Sequence, residues 1–306
     1  LIRYILKRLG QTLIVLVFVS IFAFSLIRLA PGNPALLMLP DGAPEEAVKA
    51  MEVKMGLDKP LYIQYFRYMG NVLHGDFGIS SSYRTAVGPL IWARLPYTIK
   101  LSLVSVAVGC MLCIPLGIIA GSHRGSAIDF AAMFFAVLGQ AMAPVWLAVL
   151  LIYVFAVELG WLPAIGCGTL AHYVLPVFTL AYPMAAETTR IGRSGMIDTL
   201  SEDYITATYA KGIRPVVVNW KYAFKNAICP VIMLVGIRLC MFLAGAVIVE
   251  TIFAWPGIGQ LLTQAVGNRD YAMVQSLLLV CAALFAVVNL VVDIITSLID
   301  PRIVLE

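Results

Sequence analysis

Six stretches of this chain, about 9–29, 99–120, 130–157, 173–190, 228–250 and 275–298, are apolar at nearly every position. Each approaches the roughly 20 residues that a helix needs to cross a bilayer. The pattern predicts an all-α integral membrane protein with six transmembrane helices. The fourth run is interrupted by Pro176, Pro183 and Glu187, and the third is long enough to be tilted or broken near Pro144.

The polar intervals predict smaller elements. Residues 30–98 form the sizeable extramembrane region, bounded by the turn A-P-G-N-P and the re-entry L-P-Y-T-I-K. Within it, 44–56 reads as a helix, with Pro44, Glu45 and Glu46 at its start and Gly56 beyond its end. A second helix over 60–73 repeats Leu61, Tyr65, Tyr68 and Val72 at helical spacing. Together they predict a small helical cap between helices 1 and 2, with too little core to fold alone. Residues 251–274 read as a segment at the membrane mouth: Trp255, Pro256 and Gly257 make a turn, with Glu250 just before it, and Ile258, Leu261, Leu262 and Ala265 share one face.

The interval 190–230 is the most structured of the polar ones. Ser201 is a suitable N-cap, and Glu202 and Asp203 place negative charge in a first turn. Ala207, Ala210 and Lys211 sustain a helix of about ten residues, roughly 15 Å long, that Gly212 stops. Pro215 opens a second amphipathic helix presenting Val216, Trp220, Phe224 and Ala227, and Pro230 marks the return to an apolar span.

Composition agrees with a bilayer: 61% of the 306 residues are hydrophobic, 12% are charged, and the mean hydropathy is +0.93. Basic residues give the orientation. With the amino terminus inside, the inner segments hold Arg3, Lys7, Arg8, Arg124, Arg190, Arg193, Lys211, Arg214, Lys221, Lys225 and Arg302. Lys49, Lys54, Lys59, Arg67, Arg84 and Arg94 fall in the one long outer loop, where charge weighs little, and Arg269 is also outside. Both termini are therefore predicted cytoplasmic, and the first span reads as a retained helix, not a removed signal peptide. The net charge of +4 follows from this topology. It does not indicate a nucleic-acid partner, since no basic stripe is interleaved with exposed aromatics.

Enzymatic chemistry finds no foothold. His74, His123 and His172 belong to different segments, so no nucleophile, base and orienter converge. Cys110 and Cys113 form a C-x-x-C inside an apolar run and read as small buried hydrophobes; no disulfide is expected among the six cysteines. No G-x-x-x-x-G-K-[ST] is present, so the chain has no P-loop for ATP. Gly109, Pro115, Gly117, Gly139, Pro144, Gly236 and Gly245 permit close helix approach or bending within spans. Arg238 is the outstanding charge, mid-span in M-L-V-G-I-R-L-C-M-F-L-A-G, where an arginine costs about 2.5–3.5 kcal/mol on insertion scales. It either lines a path and meets a carboxylate or anionic chelate, or pairs with Glu187 or a neighbour, or snorkels. Glu187 and Arg190 are three apart and read as a structural pair or gate support. Asp129 and Asp293 receive no role.

T-A-T-Y-A-K-G at 206–212 and K-N-A-I-C-P at 225–230 resemble the EAA loop of bacterial ABC importer permeases, although Thr206 stands where that family's naming glutamate falls. R-Y-I-L-K-R-L at 3–9, L-A-P-G-N-P-A at 29–35, G-L-D-K-P-L-Y-I-Q-Y at 56–65, G-D-F-G-I-S at 75–80, E-L-G-W-L-P at 158–163, E-T-I-F-A-W-P-G-I-G at 250–259, N-R-D-Y at 268–271 and D-P-R at 300–302 resemble, in order, the dipeptide/oligopeptide/nickel group of those permeases. The resemblance implies a multi-pass protein of the bacterial inner membrane, with one permease domain over 1–306. Its parts are an N-terminal helix to 29, a cap region 30–98, core helices 99–298 with a coupling loop at 191–227, and a tail 299–306.

It further implies a second permease as heterodimer partner, two ATP-binding subunits that hold ATP and Mg, and an external substrate-binding protein. No cofactor or metal is expected on this chain itself. Ser201, Glu202, Asp203, Tyr204, Ala207, Ala210, Lys211 and Gly212 fall on the coupling helix. Arg238, Glu187, Gly139 and Pro144 are the path candidates, and Glu250, Trp255, Pro256 and Gly257 the external mouth. Import of di- or oligopeptides, or small ones such as glutathione, is the first expectation. A nickel chelate and an ATP-independent receptor or scaffold are the alternatives.

Overall fold

The computed structural model describes residues 2–29, 39, 42–244 and 246–299. The predicted turn at 30–34, Gly245, D-P-R at 300–302 and all but the first residue of the tail lie outside them. Among the described residues the regular elements are helical, apart from one isolated bridge between Ile79 and Ala86.

α1 (Ile2–Leu29) leads to the cap helices α2 (Glu45–Met55) and α3 (Leu61–Leu73). α2 begins after Pro44 with Glu45 and Glu46 in its first turn, and ends at Gly56, whose φ of 70° admits the backbone bonds Gly56 N to Val53 O and Leu57 N to Glu52 O. α3 rests on the far end of α1: Tyr65 meets Ser20 through a 2.7 Å hydroxyl contact and Phe24 edge to face at 5.6 Å. Of the predicted α3 face, Tyr65, Tyr68 and Val72 are half-buried but Leu61 is exposed.

α4 runs from Val87 to Ser122, about 54 Å at 1.5 Å per residue. It starts twelve residues before the predicted span, because Pro96 lies inside the helix and does not end it. α5 (Ala127–Ala141) and α6 (Pro144–Leu151, extended as a π-helix over Ile152–Glu158) meet at 102°. The third apolar run is thus broken where Pro144 takes the first position of a new helix. α7 (Leu170–Leu200) carries both Pro176 and Pro183 internally and continues ten residues past its predicted end. α8 (Asp203–Ala210) follows. α9 (Pro215–Val217) passes through a π-helical stretch, Val218–Ala223, into α10 (Phe224–Leu243). Pro230 is internal to α10, so the predicted boundary there is absent. α10 stops at Leu243, short of the predicted 250; α11 (Val247–Ile252), α12 (Ile258–Gly267) and α13 (Tyr271–Ile299) complete the chain.

Four helical segments, Arg8–Ser25, Val87–Ser122, Pro215–Leu243 and Tyr271–Ser297, are long and apolar enough to cross a membrane, and the bent α5–α6 pair makes a fifth. α7 does not qualify by composition. It is the central helix, packed against α4, α5, α6 and α10, and buries Thr179, Thr188 and Thr189 among protein neighbours. A helix surrounded by protein need not be apolar all round. Gly117 and Gly121 of α4 bring the two helices together: a Cβ on Gly121 would stand 2.5 Å from Met196 Cβ and 3.1 Å from Arg193 O.

The core falls into three clusters. Leu101, Leu147, Leu175, Val249, Phe253 and Trp255 belong to one, and Val87, Ile91, Ile258, Leu261, Met273 and Leu277 to a second at the start of α4 and α13. The third, Ile118, Met196, Ile205, Val218, Ala223 and Ala227, closes the opposite end of the molecule under α8.

Candidate functional site

α8 joins two core helices and presents almost all of itself outward. Of its eight residues only Ile205 is buried, with no exposed surface. The side chain enters the third cluster, against the ends of α4 and α7 and the start of the α9–α10 helix. Fully burying an isoleucine contributes about 1.5–3 kcal/mol. Two polar contacts fix the rotation of the helix about that pin: Asn226 Nδ2 donates to Tyr204 Oη at 2.6 Å, and Tyr209 Oη donates to Asn219 Oδ1 at 3.2 Å. The result is a short rigid rod whose Asp203, Thr206, Ala207 and Ala210 surfaces are open.

Several sequence expectations change here. Ser201 does not cap α8; it closes α7, its hydroxyl donating to Asp198 O at 2.7 Å. Glu202 occupies the N-cap through its backbone, whose carbonyl accepts Ile205 N–H at 3.0 Å, without a side-chain cap. The helix has eight residues, not ten. Lys211 is its C-cap, and Gly212 follows at φ 76° as expected. The predicted face of the next helix is displaced in its first half only: Val216 and Trp220 are exposed and Val218 and Ala223 buried instead, while Ala227 is buried and Phe224 half-buried as expected. The five-residue step from Val218 to Ala223 is the π-helical stretch, which turns the face relative to a 3.6-residue repeat. Ile205, the residue that anchors the site, went unremarked in the sequence reading. Its signal was being the one large aliphatic side chain of D-Y-I-T-A-T-Y-A.

Above this platform, Arg193 of α7 grips Asp129 of α5 with both ends of its guanidinium, Nε to Oδ1 at 2.5 Å and Nη2 to Oδ2 at 2.7 Å. Asp129 also accepts Gly125 N–H at 2.9 Å, so both its oxygens are engaged. Neither residue stood out in the sequence. The pair ties the turn between α4 and α5 to the stem that ends in α8.

Further along α7, Glu187 pairs with Arg238 of α10. This is one of the alternatives expected for Arg238, while among the described residues the Glu187–Arg190 pair is not formed and Arg190 is exposed. Gly139, a path candidate, is buried at the contact of α5 with α7, where a Cβ would lie 2.8 Å from Ala186 Cβ and 2.9 Å from Tyr182 Cζ. Pro144 is exposed at the 102° bend.

The residues expected at the external mouth form a bracket in which Glu250, Trp255 and Gly257 are buried and Pro256 is half-buried. Glu250 has no exposed surface; it accepts Thr98 Oγ1–H at 2.6 Å, Gly259 N–H at 2.7 Å and Gln260 N–H at 3.1 Å. Trp255 is equally buried, and its Nε1 donates to Tyr97 O at 3.1 Å. A Cβ on Gly257 would collide with the Glu250 carboxylate. Glu250 thus seats the first turn of α12 and ties it to α4. Beside it, Asp270, 1% exposed, accepts from Ser80 Oγ and from Ser82 N–H at 3.2 Å, which joins G-D-F-G-I-S to N-R-D-Y.

The three histidines each contact their own local segment, at Gly70, Ile119 and Thr169. Among the described residues no group of His, Cys, Asp or Glu could hold a metal ion, and no disulfide joins any of the six cysteines.

Comparison with known proteins places this geometry. Residues 113–305 match the family described as binding-protein-dependent transport system inner membrane component, and residues 1–102 match its N-terminal membrane-component region. The chain is 37% identical to the oligopeptide transport system permease protein AppB of Bacillus subtilis, over 98% of each chain. It is also 37% identical to the glutathione transport system permease protein GsiC of Escherichia coli K12, over 98% of each. A probable peptide ABC transporter permease of Sinorhizobium fredii, y4tP, is 36% identical over 98% of each. Among solved structures, the inward-facing MetNI methionine ABC transporter aligns with a TM-score of 0.57 at 20% identity, over 69% of this chain and 96% of that one. An amino acid ABC transporter aligns with a TM-score of 0.51 at 19% identity, over 70% and 94%. Those two show a shared fold.

Proposed function

The chain belongs to the binding-protein-dependent transport system inner membrane components, the non-catalytic permease subunits of ABC importers, and from that premise we propose that it forms half of a translocation path for small peptides. The family implies ATP-hydrolysing partner subunits and an external binding protein. The relatives named for oligopeptide, glutathione and peptide transport support a peptide substrate. The other half of the path is a second, homologous permease, and two ATPase subunits sit beneath.

The observation that carries the mechanism is α8, exposed along its length yet pinned by Ile205 into the cluster where α4, α7 and the α9–α10 helix end. We read residues 201–212 as the coupling element. A displacement of α8 by the ATPase cannot stay local, because the pin moves the ends of three long helices together. Two arrangements of those helices, with ATP-bound ATPases favouring one, give alternating access. α7 serves as the fourth of six spans, shielded by its neighbours, which puts both termini and α8 on the cytoplasmic side and α2, α3 and α12 outside. The whole chain then acts as one transmembrane domain, with 30–98 as its cap region.

The test is ATP-dependent uptake into vesicles carrying this chain, its partner permease, the ATPases and the binding protein, offered labelled dipeptide and labelled nickel chelate in competition. Dipeptide uptake blocked by unlabelled peptide is the expected result. Uptake of nickel indifferent to peptide, or no ATP-dependent uptake, contradicts the reading.

A further inference from the structure

Two of the interhelical carboxylates are saturated by protein. Asp129 is held by two guanidinium nitrogens and a backbone N–H, and Glu250 by a hydroxyl and two backbone N–H groups. The Glu187–Arg238 pair is different. Among the described residues the two side chains make a single hydrogen bond, from Arg238 Nη2 to Glu187 Oε2. The second carboxylate oxygen and the other guanidinium N–H groups, of five in all, have no protein partner.

These open valences are accessible. The Arg238 and Glu187 side chains are 33% and 22% exposed. They lie within long helices, where a charge facing lipid is strongly disfavoured. Beside Arg238, Met233, Ile237 and Met241 make an exposed apolar stripe at four-residue spacing on α10. A half-open ion pair flanked by an apolar stripe is a surface with room for a ligand that has two opposite charges and an apolar body.

Resting on the importer reading, we propose that Glu187 and Arg238 form a subsite for the charged termini of a zwitterionic peptide. The peptide carboxylate takes the Arg238 guanidinium, and the peptide ammonium takes Glu187. No net charge enters or leaves: one internal pair opens and two pairs to the ligand form. An extended dipeptide separates its termini by at most about 7 Å, which two long side chains parting from each other span. A net-neutral site of this kind discriminates against net-anionic cargo. The stripe of Met233, Ile237 and Met241 receives the peptide side chains, and the unbranched, polarisable methionines accept varied shapes.

The experiment uses the complete transporter in vesicles with the double variant Glu187→Gln/Arg238→Gln, which removes both charges without leaving either unpaired. Expected: assembly and ATP hydrolysis stay within about twofold of wild type, while dipeptide uptake at saturating loaded binding protein falls at least about tenfold, or about 1.4 kcal/mol. Unchanged uptake overturns the proposal and leaves the pair structural. If that variant does not assemble, Ile237→Cys keeps the pair intact. A water-soluble thiol reagent should then label it above the unsubstituted background, and millimolar dipeptide should slow labelling at least about threefold. No labelling, or labelling indifferent to dipeptide, overturns the proposal. A wild-type complex that imports no peptide at all would instead refute the importer reading beneath it.

Discussion

Glu250 and Gly259 are nine residues apart and joined by a 2.7 Å bond from the backbone N–H of Gly259 to a carboxylate with no exposed surface. The bond exists because neither Gly257 nor Gly259 has a side chain. A Cβ on Gly259 would stand 2.8 Å from Glu250 Oε2 and 2.8 Å from Val247 Cα. Thr98 completes the bracket, donating to Glu250 Oε1 and accepting Ile258 N–H at 2.9 Å.

Removing the carboxylate strands Thr98 Oγ1–H and two backbone N–H groups in a dry site. Glu250→Ala should destabilise the protein by about 3 kcal/mol or more, since each buried group left unsatisfied costs about 1–3 kcal/mol. Glu250→Gln keeps one acceptor oxygen and should cost about half as much. Thermal unfolding of the purified protein in detergent checks the order: wild type above Gln, Gln above Ala. Equal midpoints for all three would remove the bracket from the account.

Arg193 and Asp129 make a pair that is only partly screened, with side-chain exposures of 25% and 6%. Breaking a fully buried pair costs about 3–5 kcal/mol and an exposed one less than about 1. Arg193→Ala should fall between, near 2 kcal/mol. Arg193→Lys should recover part of the loss, because an ammonium replaces the charge but not the two-pronged grip. The same unfolding assay reads both; a Lys variant no better than Ala would mean that charge contributes nothing here.

Gly212 has φ 76° and open space around the position of a Cβ. Gly212→Ala therefore meets no clash and costs only the left-handed backbone, about 1–2 kcal/mol. Gly212→Pro also demands a negative φ and removes the N–H that bonds Tyr209 O at 2.9 Å. The alanine variant should import at a reduced rate and the proline variant should hydrolyse ATP without import. Normal uptake by Gly212→Pro would show that the turn after α8 is dispensable.

Asp203 is exposed at the start of α8. Asp203→Lys should leave folding and membrane insertion unchanged while weakening the hold on the ATPases, read as loss of co-purifying ATPase and of uptake. Wild-type association would place the docking surface elsewhere.

How far the sequence carried differs from element to element for physical reasons. α2 was readable to within a residue because Pro44, two glutamates and Gly56 act locally. The break near Pro144 was readable for the same reason. Pro96, Pro176, Pro183 and Pro230 misled, since a proline inside a packed helix is tolerated when neighbours hold the backbone on both sides. α7 ran past its predicted end because Arg193, read as loop charge, is paired with Asp129 across 64 residues. The bracket at Glu250 and the clasp between Ser80 and Asp270 join segments more than 150 residues apart, a relation that spacing along one chain does not encode. α8 itself was visible in local signals, while its anchor was not. A lone isoleucine acquires meaning only when the helix ends beneath it are in place.

The account stands most directly on Ile205. Its truncation should loosen α8 from the three helix ends it is packed on, without touching the outward surface of α8. ATP hydrolysis and dipeptide uptake would be measured in the same vesicles for wild type, Ile205→Val and Ile205→Ala. Losing one methyl group costs about 0.5–1.5 kcal/mol and losing most of the side chain about 2–5. The predicted result is near-normal coupling for valine and, for alanine, continued hydrolysis with import reduced at least about tenfold. Import by Ile205→Ala at the wild-type ratio to ATP hydrolysed would contradict the claim that this pin carries the motion.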